Sequence, residues 1–174
     1  MKNLIVVMLF LVGTIYVSAQ TSIFKKFEDL NEVTSVVVTQ EAFKLMKGMG
    51  GNTPEAKEYQ ELISGLTELK VLVTENSKIA SDMQTSFNSY ISSGKLTELM
   101  RVKDKGSNVS IYIRKGNKED IVNELAMFVN DGNSAKKQTV IMSLTGNIDL
   151  NKVYRLTEQM NIPGGEHLKN NKKQ

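Results

Sequence analysis

The chain has no cysteine and no tryptophan, one histidine, and two prolines among 174 residues. Each shortage excludes some chemistry. Without cysteine there is no disulfide, no thiolate nucleophile, no zinc knuckle, no iron–sulfur cluster and no cysteine to carry a lipid. One histidine, His167, rules out a His-rich metal site and leaves a single imidazole for acid–base work. It lies beyond Pro163-Gly164-Gly165 in a polar tail, where it would be hard to hold rigid for a Ser-His-Asp triad. Charge of one sign is scarce too. There are 22 Lys+Arg against 19 Asp+Glu, a formal net charge of +3. Lys2 supplies one of these charges, and the tail Glu166–Gln174, with three lysines and one glutamate, supplies the rest. The body between them is neutral. It lacks the concentrated basic face of a nucleic-acid binder, so no nucleic-acid partner is expected.

What is present begins with a leader. Lys2 precedes an apolar run from Leu4 to Val12, and Val17-Ser18-Ala19 places tolerated residues at the −3 and −1 positions of a cleavage after Ala19. This pattern predicts a secretory signal peptide over 1–19. The run is too short for a spanning helix, which needs about 20 apolar residues, and no basic cluster follows it. Neither a transmembrane nor a lipid anchor is expected. The chain should then divide into a signal peptide (1–19), a single α+β domain (20–165) and a disordered polar, basic tail (166–174). The mature protein should be soluble, in the periplasm or outside the cell.

Periodicity predicts the elements. Ser22 to Asn31 reads as a helix with Ile23, Phe24, Phe27 and Leu30 on one stripe, and Val36-Val37-Val38 as the core of a buried strand. Glu41 to Met46 reads as a short helix. Thr53 is placed to cap the next one, with Pro54 at its first position, where the missing N–H has no partner anyway. Thr67 to Thr74 alternates as a half-buried strand, with Leu69, Val71 and Val73 on one side and Glu68, Lys70, Leu72 and Thr74 on the other. Ile79, Met83, Phe87 and Tyr90/Ile91 recur at helical spacing, and Gly94 takes the usual C-terminal capping position.

Hairpins follow. Leu96 to Lys103 and Val109 to Ile113 flank the turn Asp104-Lys105-Gly106-Ser107. Ile121 to Val129 fits either helix or two-sided strand by periodicity. The turn Asp131-Gly132-Asn133-Ser134 before Gln138 to Leu144 favours the strand. A last helix runs from about Leu150 to Met160. Asp149 is its N-cap, and Ile148 and Val153 sit at the positions of a hydrophobic staple. The sum is an α+β fold: a largely antiparallel sheet of about six strands, ending in a four-strand meander, with helices packed on one face. A chain of this size buries about two-thirds of its unfolded surface, so no cofactor or metal is needed to hold it together.

This order of motifs resembles domain-of-unknown-function family 4252, small exported proteins of Bacteroidota. The residues that carry the resemblance are Val17-Ser18-Ala19-Gln20, the Phe24/Phe27 start before Val36-Val37-Val38, and Asn108-Val109-Ser110-Ile111-Tyr112-Ile113. The strongest segment is Asn123 to Val129 through Leu144-Thr145-Gly146-Asn147-Ile148-Asp149-Leu150, which looks like the family's strand, hairpin, strand, Gly-x-Ile-Asp and final helix. The resemblance implies export and an envelope location. It brings no activity and no catalytic residues. Some relatives look like lipoproteins, but this chain lacks their acylated cysteine.

Few residues invite chemistry. Gly48-Met49-Gly50-Gly51-Asn52-Thr53-Pro54 could cradle an anion on backbone N–H groups, but it lacks the Lys-Ser/Thr of a P-loop and the preceding strand of a dinucleotide site. It reads as a loop. Glu28/Asp29 and Glu119/Asp120 are sequence neighbours that should point apart. Glu124, inside an apolar strand, should form an exposed cross-strand pair with Arg101, Arg114 or Lys137. The methionines fall mostly on apolar stripes and read as core filler. No catalytic, cofactor or metal residue is therefore assigned. The expected function is that of a noncatalytic envelope module binding a protein, peptide or glycan, with the edge strands offering one mode. The first alternative is a periplasmic hydrolase built on carboxylates, which needs two or more of Glu28, Asp29, Glu119, Asp120, Glu124 and Asp149 in one pocket. The second is an accessory factor or sensor in an envelope-stress circuit.

Overall fold

The computed structural model describes residues 22–48, 51–104, 106–132 and 137–153. The predicted signal peptide, the predicted tail and most of the last predicted helix lie outside the described residues. The elements are α1 (Ser22–Glu28), β1 (Val33–Thr39), α2 (Gln40–Gly48), α3 (Pro54–Ser64), β2 (Leu66–Thr74), α4 (Ser77–Gly94), β3 (Thr97–Asp104), β4 (Ser107–Lys115), β5 (Ile121–Asp131) and β6 (Gln138–Asp149). A helical turn opens after β6, at Leu150.

The strands form one open six-stranded sheet in the order β1-β2-β6-β5-β4-β3, every pair antiparallel. β3 to β6 are the meander that the turn residues predict, and Ile121 to Val129 is strand. The sheet continues because β2 pairs with β6 on its outer side and carries β1 at the edge.

The two faces hold separate cores. On the first, Phe24 and Phe27 of α1 and Met83, Phe87 and Tyr90 of α4 pack on Leu72, Ala126, Phe128 and Ile141. On the second, Phe43 of α2 and Ile63 of α3 join Leu125, Ile148, Leu69 and Leu144, with Leu150 and Val153 against them. The faces follow from the strand period of two. Leu72 lies opposite Ile141 and Ile141 opposite Phe128, whereas Leu69, Leu144 and Leu125 form the matching row on the other side. The helical cover is thus divided: α1 and α4 share one face, and α2 and α3 serve the other.

This division changes two expectations about burial. β2 alternates as its sequence predicts, but its polar side is covered too, and Lys70, Leu72 and Thr74 are all buried. Val36-Val37-Val38 forms a strand, yet at the sheet edge, with Val36 47% and Val37 44% exposed. A β-branched run suits any pleated strand and does not by itself specify a central one.

The caps are visible in atomic detail. The Thr53 hydroxyl accepts from the Ala56 N–H, and Asp149 Oδ1 accepts from Asn151 N–H and Lys152 N–H at 2.9 and 3.4 Å. Gly94 is not the capping residue. Lys95 takes the left-handed conformation, φ 51°, and Gly94 is the last helical residue. Gly94 answers a different need: a Cβ there would lie 2.7 Å from Leu96 Cδ1 and 3.0 Å from Arg114 Nη2. Space is tighter still where β2 begins. Gly146 has φ 141°, and a Cβ on it would lie 2.3 Å from the Gly65 carbonyl oxygen; a Cβ on Gly65 would lie 2.4 Å from the Asn147 oxygen. The Asn147 N–H donates to that Gly65 oxygen at 2.7 Å. The Gly of the Gly-x-Ile-Asp motif is therefore required by backbone contact.

Candidate functional site

The first face carries a polar cluster beside its apolar core. Register places it. Glu68 of β2, Thr145 of β6, Glu124 of β5 and Arg114 of β4 lie opposite one another in succession, and Lys70, Ser143, Ala126 and Tyr112 form the next row. Three register shifts fall at the same end of the sheet: Leu66/Glu68, Arg114/Lys115 and Val122/Glu124. A bulge reverses which face the following residue addresses. Leu66 and Val122 consequently enter the second core, while Glu68 and Glu124, only two positions on, address the first face.

Glu124 is 3% exposed and fully engaged. Its Oε1 accepts from the Tyr90 hydroxyl and from Ser143 Oγ, the latter at 3.1 Å. Its Oε2 accepts from Arg114 Nε at 3.3 Å and Nη2 at 3.1 Å. Arg114 Nη1 donates onward to the Gly94 carbonyl oxygen, the contact for which that position must stay small. Glu124 and Arg114 form a cross-strand pair, but its carboxylate is buried, with Tyr90 of α4 bonded to it, while Arg114 stays partly exposed. Burial, with the neighbouring carboxylate, pushes the Tyr90 phenol well above the ordinary tyrosine range; Arg114 opposes this. Tyr90 is held laterally by Phe24, edge to face at 5.7 Å.

Lys70 is the second buried charge. Its Nζ stands 3.5 Å from Glu28 Oε1 and 3.4 Å from Glu68 Oε1. Glu28 Oε1 is itself buried and accepts no hydrogen bond. Beside these groups opens a cleft of about 440 Å³, lined by apolar Phe24 and Tyr90, by Thr67, Asn123, Ser143, Thr145 and Gly146, and by Glu68, Lys70, Arg114 and Glu124. Thr67, Asn123 and Gly146, all at the bulges, are part of its rim, and the Thr67 and Thr145 hydroxyls lie 2.9 Å apart.

The carboxylates considered from sequence do not assemble as a set. Glu124 lines the cleft and Glu28 reaches Lys70 from α1, whereas Glu119 and Asp120 lie exposed in the β4–β5 turn and Asp149 caps the turn after β6. Glu68 and Lys70 were not singled out by sequence reasoning. The signal was the polar side of the alternating β2, where a lysine and a glutamate share a face with Leu72. Among the described residues, no group of three or more His, Asp or Glu could hold a metal ion, and no helix is long and apolar enough to cross a membrane.

Residues 27–156 match the family described as Domain of unknown function (DUF4252), and the chain belongs to that family. No curated protein and no solved structure matches it.

Proposed function

From membership of a family whose description assigns no activity, and from the cleft on the first face, we propose that this chain is an exported, noncatalytic module that binds a neutral, hydroxyl-rich ligand, a glycan segment. Export rests on the leader at Met1–Ala19. The observation that carries the binding reading is a cleft with a fully hydrogen-bonded floor and a polar rim that is partly exposed. Glu124 has both oxygens occupied by protein donors. At the rim, Glu68, Thr67, Thr145 and Asn123 offer acceptors and donors suited to sugar hydroxyls. Two glutamates and one lysine meet at one end, which leaves no surplus of positive charge to draw an anion there.

One observation favours the hydrolase reading: Glu68 and Glu124 share a row with one strand between them, about 10 Å apart by strand spacing. A glycosidase needs one carboxyl to give a proton and another to attack or activate water. Glu124 has no free oxygen for either task, because protein donors occupy both, and Glu68 is paired with Lys70 at 3.4 Å.

Calorimetric titration of the chain with an oligosaccharide panel tests both. Saturable heat that falls at least tenfold in affinity for Thr145→Val or Asn123→Ala, with unchanged melting, supports the proposal. Absence of binding across the panel, or release of reducing sugar that stops with Glu68→Gln, defeats it. N-terminal sequencing of exported chain should begin at Gln20.

A further inference from the structure

Sheet edges expose backbone N–H and C=O groups that can pair with another strand, and proteins guard them with charge, bulges or cover. The two edges here are treated differently. β3 carries Glu98, Arg101, Lys103 and Asp104 and has a register shift between Glu98 and Met100. β1, Val-Thr-Ser-Val-Val-Val-Thr, has no charge, no proline and unbroken register with β2 over all seven residues. Among the described residues nothing pairs with its outer side. Of the large exposed apolar side chains, Leu30, Val36, Val37, Leu45, Met46 and Tyr59 lie on β1, on the loop before it, or on α2 and α3. Only Val102 of that class lies at the β3 edge.

We propose that the occupant of the β1 edge is a second copy of this chain, paired antiparallel about a two-fold axis at Val37, so that the two sheets run on as one. The strand is complementary to itself in that register. Val37 meets its own counterpart on the first face. Val36 meets Val38 of the other copy on the second face, apolar against apolar, and Ser35 meets Thr39, hydroxyl against hydroxyl. A two-fold interface sets one patch against itself, which an uncharged strand allows without opposing like charges. A foreign strand has no such match in the sequence; nothing on β1 would select its charge.

Sedimentation equilibrium of the chain at micromolar concentration should give the mass of a dimer. Val37→Lys places two ammonium groups directly opposite across the axis and should weaken association at least tenfold. Val102→Lys, on the guarded edge, should leave it unchanged. Val37→Lys mixed with Val37→Glu should recover a heterodimer, a result that loss of folding cannot produce. A monomer at every concentration overturns the proposal, including one that binds extended peptides instead. A dimer indifferent to Val37→Lys overturns it too, as does a mixture of the Lys and Glu variants that stays monomeric.

Discussion

Glu124 and Leu125 are neighbours in β5, and both are buried, at 3% and 8% exposure. One faces α4 and the other faces the second core, and they are held in opposite ways. Leu125 rests on Leu144 and Ile113, its register neighbours, through contacts that no single atom decides. Glu124 rests on three side chains whose donors all converge on two oxygens. The difference concerns tolerance. An apolar core loses stability in proportion to what is removed, whereas a buried polar cluster is satisfied or is a liability. A site needs the second kind, because hydrogen bonds fix the rim that a ligand meets.

The largest test of this contrast is Glu124→Ala. It leaves the Tyr90 hydroxyl and the partly buried Arg114 guanidinium without their shared acceptor and should cost about 3–5 kcal/mol in urea unfolding. Leu125→Ala should cost about 2–4 kcal/mol, and Leu125→Met little, which would mark the second face as forgiving. If Glu124→Ala proves milder than Leu125→Ala, the contrast is wrong. Tyr90→Phe should remove about 1.5–3 kcal/mol, the range for a bond to a charged partner, and it should also change the pH profile. The Tyr90 phenol keeps its proton in the folded chain above the pH at which the unfolded chain releases it. Its contribution is therefore complete below pH about 10 and is lost as pH rises beyond that. The wild-type and Tyr90→Phe stabilities should converge in alkali. Asp149→Ala, which frees the turn bearing Leu150 and Val153 over the second face, should cost about 1 kcal/mol and leave ligand binding intact.

Much of the fold is legible locally. Turn chemistry at Asp104-Lys105-Gly106-Ser107 and the alternation of Val109, Ile111 and Ile113 suffice for the β3–β4 hairpin, and Thr53-Pro54 marks the start of α3. The site is less legible, for a physical reason. Alternation says that Lys70 and Leu72 share a side, but not that α1 and α4 bury that side. The sequence offers Arg114 as one of three cross-strand partners for Glu124, and the pair forms, yet the burial of Glu124 depends on Tyr90, thirty-four residues earlier in the chain. The bulge at Asn123, which turns Val122 and Glu124 to opposite faces, carries no glycine or proline to announce it. Gly94 misleads because a glycine at a helix end is ordinarily a cap; here the side chains of Leu96 and Arg114 take the space.

The contact between Gly65 and Gly146 sets a rule for how such a sequence can vary. Each glycine is held bare by the backbone beside the other, so a methyl group at either position pushes apart the start of β2 and the end of β6. Neither can drift alone. In any descendant of this chain the two positions would be expected to remain glycine together, or to change only with a lengthened connection that lets the strands part.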